Sequence, residues 1–239
     1  MTNVYALQTA RAGSKSVKSK NTMLFDDKPL FQHPVEKALN SNLIKQVYIS
    51  TDIYLIKRNP DNLPYKIIPR PESLSGDDSS HHDVMIHGIE EIEKRENEEV
   101  DLLVILLGNS LGSEGKELDE AIQFLIDNPG YDSIQSVSEF NMFNPFRSFV
   151  VQDDLLKTYM DQDRISSGTK IRNVNDKNSA GDIYFANGSF FICRRDILMK
   201  KEGFLPFPWL GFKIKPWIQE VTMEIDAYWQ SSVLRSQCE

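Results

Sequence analysis

The chain has 239 residues, 40% hydrophobic and 26% charged, with 27 Lys and Arg against 35 Asp and Glu and a formal net charge of -8. That length and apolar fraction suffice to bury a core and exclude a disordered chain, and the acidic balance argues against a nucleic-acid polymer as partner but not against a nucleotide. No apolar run approaches the ~20 residues needed to cross a bilayer, the N-terminus lacks a signal-peptide layout, and Cys193 and Cys238 offer neither metal-ligand spacing nor a disulfide framework, so a cytoplasmic protein is the expectation.

Val4 to Leu7 reads as the first strand. The segment from Arg11 to Asn21 follows it and carries four cations, Arg11, Lys15, Lys18 and Lys20, with no acid among them. Gly13, Ser14 and Ser16 let this backbone bend so that its N–H groups face an anion, for which a polyphosphate is the natural candidate. The spacing matches neither the Walker pattern nor the dinucleotide Gly-x-Gly-x-x-Gly pattern. Placement between a strand and a helix favours anion binding over a solvated basic turn.

Leu30, Phe31, Val35, Ala38 and Leu39 suit a helix over Pro29 to Asn40, with the regular part starting at Pro34, where a missing N–H costs nothing. Val47 to Ser50 reads as a second strand ending at Thr51-Asp52, which places Ser50 and Asp52 near the first loop or, alternatively, makes Thr51-Asp52 a turn cap. Lys66 to Ile68 is a short strand followed by Arg70-Pro71. Gly76 to Ser80 supplies the start of a helix running from about Ser80 to Arg95. His81, His82 and His87 in it have no metal-ligand spacing and read as surface or capping residues.

Leu102 to Leu107 is a continuous apolar run, which suits a strand buried on both faces at the middle of a parallel sheet. A helix over Gly115 to Asp127 and a strand over Ile134 to Val137 complete a βαβα succession, so a single domain over 1–239 with a three-layer α/β/α, Rossmann-like, mostly parallel sheet is expected. Between about 140 and 182 the rhythm changes. Phe140, Phe143, Phe146 and Phe149 open an apolar excursion of the kind that packs on a partner chain or forms an internal flap. Ser189 to Cys193 returns to a buried strand, then come a helix over Arg194 to Lys200, a loop over Pro206 to Trp217, a strand over Met223 to Asp226 and a closing helix to about Ser236. On that last strand Glu224 and Asp226 would point to one face, either as solvated edge residues or able to converge on one hard cation.

The string Ala10-Arg11-x-Gly13-Ser14-Lys15-x-x-x-x-Lys20-Asn21 resembles the signature loop of the acylneuraminate cytidylyltransferases, which activate sialic acids and related sugar acids with CTP. Lys28-Pro29-Leu30, Ser50-Thr51-Asp52, Arg70-Pro71, Asp77 to Asp83, Asn187-Gly188 and Ile225-Asp226 follow in that family's order along nearly the whole chain. The resemblance implies the family's nucleotidyltransferase fold and a homodimer in which each subunit helps cover the other's site. It implies that Arg11, Gly13, Ser14, Lys15 and Lys20 hold the triphosphate, Arg11 and Lys20 acting as catalytic cations, and that Asn21, Arg70 and Ser80 read the base, with an ion pair to Glu72 or Asp77 as the alternative for Arg70. Asp226, with Glu224 where the family usually has Asp, would bind Mg²⁺.

The acceptor half departs from the family. After the central strand the usual Leu-Gln-Pro-Thr-Ser-Pro-Leu-Arg is here Leu106 to Ser113, so the family's Gln becomes Leu107 and its Arg becomes Ser113, while Phe143 stands where a His is usual. Leu107, Asn109, Ser110, Phe143 and Asn187 form the expected acceptor wall, and Lys170, Arg172 and Lys177 are available for an acceptor carboxylate. The expected activity is transfer of CMP from CTP to an acidic sugar, nonulosonate- or octulosonate-like, with release of pyrophosphate. A nucleotidyltransferase acting on a sugar 1-phosphate and a non-catalytic nucleotide-binding dimer are the alternatives.

Overall fold

The computed structural model describes residues 2–13, 17–76, 79–161, 163, 165 and 181–238, the side chains of 236–238 excepted. Two compact units divide the chain, the first formed by Met1–Ser136, Asn187–Trp217 and Thr222–Glu239, the second by Val137–Ala186 and Ile218–Val221.

In chain order the strands are β1 (Val4–Ala10), β2 (Leu24–Phe25), β3 (Lys28–Pro29), β4 (Gln46–Thr51), β5 (Lys66–Pro69), β6 (Leu102–Leu107), β7 (Ser133–Glu139), β8 (Phe149–Gln152), β9 (Leu155–Thr158), β10 (Tyr184–Arg194) and β11 (Ile214–Gln219). The helices are α1 (Gln32–Leu39), α2 (Tyr54–Arg58), α3 (His81–Glu96), α4 (Gly115–Asp127), α5 (Arg195–Leu198) and α6 (Tyr228–Cys238). Seven strands form one sheet in the order β11-β7-β10-β6-β1-β4-β5. β1 runs parallel to both β4 and β6, β4 runs parallel to β5, and β10 is antiparallel to β6.

The apolar run of β6 is continuous because its side chains divide between two cores, as the twofold strand repeat requires. Leu102, Val104 and Leu106 join Val35 and Ala38 of α1 and Leu118, Ile122 and Leu125 of α4 on one face. Leu103 and Ile105 join Met85, Ile89 and Ile92 of α3 on the other. This is the expected three-layer arrangement. α3 lies close on β1 because residue 88 is glycine: a Cβ there would stand 2.2 Å from Leu7 Cδ2.

Some boundaries differ from expectation. α1 begins at Gln32, so Pro34 falls within its first turn rather than at its start, still where a missing N–H is tolerated. α2 is a single turn with no periodic signal. β11 begins within the segment read as a loop and runs past its end; Pro216 argues against a strand, but β11 is an edge strand of the sheet, where a proline is accommodated. Met223 to Asp226, expected as a strand, is irregular. No described helix is long and apolar enough to cross a membrane.

In the second unit β8 and β9 form an antiparallel two-stranded sheet of their own. Phe140 meets the rings of Phe143 and Phe185 at centroid distances of 6.0 and 6.1 Å. Asn141 Oδ1 accepts the Ile183 N–H at 2.8 Å, and Asn144 Oδ1 accepts the Phe146 N–H at 2.9 Å, starting the short 3-10 turn Pro145–Arg147.

Candidate active site

Strand order reverses between β1 and β6: from β1 the chain winds outward through β4 and β5, then returns to lay β6 on the other side. Loops at the carboxyl ends of two such strands splay apart and leave a crevice. Arg11 directly follows β1, and Asn109 lies just past β6. A cleft of about 330 Å³ opens there, lined by residues of the first unit, Arg11, Lys20, Asn21, Arg70, Asn109 and Glu224 among them.

The cationic loop is tied down where it leaves β1 and again at Asn21. Asp52 Oδ1 accepts the Ala12 N–H at 2.9 Å, Asn21 Nδ2 donates to the Arg11 carbonyl at 2.8 Å, and Arg11 Nη1 donates to the Gly76 carbonyl at 3.0 Å. Asp52 therefore positions the loop, as its place at the end of β4 suggests. Gly108 completes the seat, because a Cβ there would come within 2.9 Å of Ala10 Cβ and 3.0 Å of Asn21 Oδ1. Gly13 is exposed and does not line the cleft. Ser14 and Lys15 lie outside the described residues, as do Lys170, Arg172 and Lys177.

Arg70 is buried and held by β4 rather than by Glu72: Nη2 donates to the Ser50 carbonyl at 2.9 Å and Nε to Ser50 Oγ at 3.3 Å. Burial brings its guanidinium pKa down to about 10, with the Asp52 charge opposing that shift and Arg11 adding to it. It remains a full cation at neutral pH. Asp77, the other candidate partner, lies outside the described residues.

Facing these cations are two carboxylates. Asn109 Nδ2 stands 3.4 Å from Glu224 Oε2 and 3.3 Å from Asp226 Oδ1, and the Lys20 ammonium is ion-paired with Asp226. Glu224 and Asp226 both reach the Asn109 amide, but strand alternation does not bring them there. Backbone ties do: the Ile225 N–H donates to the Asn109 carbonyl at 2.8 Å, and the Asp226 N–H to Gln230 Oε1 at 2.7 Å. Glu224 runs across Gly188, where φ is +74° and a Cβ would stand 2.1 Å from Glu224 Cγ. Burial, and secondarily the Asp226 charge, raise the Glu224 pKa above the usual carboxylate value. Among the described residues no group of three or more His, Cys, Asp and Glu side chains converges as a metal cluster.

Other expected site residues fall elsewhere. Leu107 and Asn109 line the cleft. Ser110 is buried with Oγ donating to the Leu107 carbonyl, and Asn187 is buried with Oδ1 accepting from Ser136 Oγ at 2.7 Å, so both brace the wall from behind rather than line it. Ser80 occupies the N-cap position of α3 without a side-chain cap bond, and Ser79 is the serine on the cleft. Phe143 belongs to the second unit and is 59% exposed.

The sequence reading missed His81, Phe191, Phe207 and Trp209, all on the cleft. His81 was read as a surface or capping residue; instead its Nε2 lies 3.0 Å from Thr9 Oγ1 and its ring meets Trp209 edge-on at 6.2 Å. Burial, with Arg70 adding to it, brings its pKa down to about 4, so it is neutral at physiological pH. Its place at the first turn of a helix following a strand end was the available signal.

An open α/β sheet with a tethered cationic loop at its switch point and a carboxylate pair opposite defines an α/β protein whose crevice lies at the carboxyl ends of its strands. Residues 6–195 match the cytidylyltransferase family, and the chain belongs to that family. Among curated relatives, the pseudaminic acid cytidylyltransferase and UDP-2,4-diacetamido-2,4,6-trideoxy-beta-L-altropyranose hydrolase of Helicobacter pylori is 29% identical over 199 residues, covering 82% of this chain and 37% of that protein. N-acylneuraminate cytidylyltransferase A of Danio rerio is 33% identical over 135 residues, 56% of this chain and 30% of its own. The matched segments thus cover well under half the length of these two relatives. Among solved structures, CMP:2-keto-3-deoxy-manno-octonic acid synthetase complexed with CTP superposes with a TM-score of 0.67 at 17% identity, covering 99% of this chain and 98% of that one, a likeness of fold.

Proposed function

We propose that this chain transfers CMP from CTP to an acidic sugar and releases pyrophosphate. The observation that carries the reading is the convergence of Arg11, Lys20, Asn21, Arg70 and Glu224 on one cleft at the carboxyl ends of β1 and β6, with Asp226 paired to Lys20, in a chain of the cytidylyltransferase family. In such a transfer an acceptor hydroxyl oxygen bonds to the α-phosphorus as the bond to the β-phosphate oxygen breaks; the hydroxyl proton passes to solvent and pyrophosphate departs. Positioning and charge neutralisation supply most of the acceleration. Arg11 offers a planar fork to two phosphate oxygens, and Lys20 a movable point charge. Arg70, fixed by Ser50, offers its remaining donors to the carbonyl or ring nitrogen of cytosine, and Asn21 supports the loop beneath it.

Two carboxylates, one of them already contacted by an ammonium group, are a donor set suited to a hard divalent ion, and Mg²⁺ fits them. Asp226 and Glu224 would hold it, and when bound it would neutralise charge on the triphosphate. Leu107, with Phe191 and Trp209 on the same cleft, makes part of the wall apolar. A substrate hydroxyl facing Leu107 would lose a hydrogen bond at a cost of ~1–3 kcal/mol, which favours an acceptor carrying a deoxy carbon or a methyl at that point. We further propose a homodimer built on the second unit, and a cytoplasmic location consistent with Cys193, a buried free thiol.

The test is pyrophosphate release with each of the four ribonucleoside triphosphates against a panel of sialic acid, a deoxygenated nonulosonate, an octulosonate and a sugar 1-phosphate. Turnover with CTP and the deoxygenated sugar acid is expected, and Leu107→Gln should gain sialic-acid use. Preference for the sugar 1-phosphate, or inertness of folded protein with every pair, overturns the proposal.

A further inference from the structure

The carboxylate pair in this cleft already has a cation. The Lys20 ammonium is ion-paired with Asp226 Oδ1, its side chain only 20% exposed, and the Asn109 amide faces both acids. The stem of Lys20 is held by a tight turn: Ser19 has a φ of 54° and its carbonyl accepts the N–H groups of Thr22 and Met23 at 2.9 and 3.0 Å. Lys20 therefore reaches Asp226 from a fixed base.

We infer that Lys20 is the resident counter-ion of the Glu224–Asp226 pair, that it must leave Asp226 before a divalent ion can bind there, and that the nucleotide drives this exchange by offering phosphate oxygens to the same ammonium. The inference rests on reading the cleft as a CTP and Mg²⁺ site. An ammonium and a divalent ion cannot share one carboxylate oxygen without strong repulsion, so metal and Lys20 compete for Asp226. A triphosphate relieves the competition by giving Lys20 another anion. By reciprocity, nucleotide and metal each favour the other's binding. The device keeps Asp226 paired in the empty cleft and discourages the metal from binding without its nucleotide.

Removing the ammonium then acts with opposite signs on the two ligands, whereas a lysine that serves phosphate alone would leave metal binding to the nucleotide-free protein unchanged. The probe is Mn²⁺, whose free concentration is followed by electron paramagnetic resonance in the absence of nucleotide. Lys20→Met should bind Mn²⁺ about tenfold more tightly than wild type, within the usual span for coupled sites, and CTP more weakly by metal-free calorimetry. Lys18→Met removes an equal charge from an exposed position on the same loop and should change Mn²⁺ affinity by less than about twofold. Adding Asp226→Asn to Lys20→Met should abolish the gain. Unchanged or weaker Mn²⁺ binding by Lys20→Met, or an equal gain in Lys18→Met, overturns the inference. A wild type that binds Mn²⁺ but no CTP instead overturns the reading of the cleft, and with it the nucleotide's part in the exchange.

Discussion

At the scale of single residues, two measurements separate chemistry from architecture. If Lys20 neutralises charge on the transferring or departing phosphate, Lys20→Ala should cost about 2–4 kcal/mol in the transition state; a loss below about tenfold in kcat/KM would make it a loop cation only. The second concerns His81, whose pKa falls from 6.5 in the unfolded chain to about 4 in the fold because the ring is buried and faces Arg70. Between those values the unfolded chain binds the proton and the folded chain does not, so this residue's contribution makes stability rise with pH across the window from about 4 to 6.5. In denaturant melts, His81→Phe should flatten that part of the pH profile, and an unflattened profile would show that the imidazole is not held neutral. The contrast between these residues explains what could be read beforehand. Arg11 and Lys20 belong to a cationic string that already implies an anion site, while Asn21 and Arg70 were placed by the family resemblance. Phe207 and Trp209 reach the same cleft through chain reversals that leave no mark on local composition.

At the scale of elements, legibility follows burial. β1, β4, β6 and α4 were readable because each has neighbours on both sides or one clear apolar face, so its pattern records its surroundings. β11 carries Pro216 at an open edge and records little. The segment from Met223 to Asp226 delivered the expected pair of carboxylates by another route, with Asn109 and Gln230 holding an irregular backbone where alternation on a strand had been the reason to expect convergence. Gly188 of β10 is the residue on which that arrangement turns, since its φ of +74° strains any L side chain and its missing Cβ leaves the path for Glu224. Gly188→Ala should therefore lower stability by roughly 1–3 kcal/mol and, by pushing Glu224 aside, lower kcat/KM more than tenfold. Thermal melts and steady-state kinetics on one preparation check both. A variant that melts early yet turns over normally would remove Glu224 from the working site.

At the scale of the whole molecule, the second unit poses a question of solvation. β8 and β9 make a two-stranded sheet, which is marginal in water unless something covers it. Their side chains are apolar and open: Phe149 is 56% exposed, Val151 77%, Leu155 61% and Leu156 67%. Val151 and Leu156 are directly paired across the hairpin, with Phe149 on the same face of the ribbon, so the apolar surface is contiguous there. A contiguous apolar surface on an otherwise acidic chain is the mark of an association face, and a second copy related by a twofold axis is the commonest way to cover it. In the sequence this excursion showed as a break in rhythm with a cluster of phenylalanines, because two four-residue strands, one face mixing Val150 and Leu155 with Gln152 and Lys157, are too short to show a period. The expected outcome is that the wild-type chain sediments at twice its 27.4 kDa mass. Val151→Asp together with Leu156→Asp should shift it to the monomer. Because the cleft is lined by residues of the first unit, the monomer should still bind CTP, while turnover falls if the partner helps to close the site. A wild-type chain that stays monomeric across the concentrations at which it turns over would rule out the dimer and leave the hairpin's apolar face to another partner.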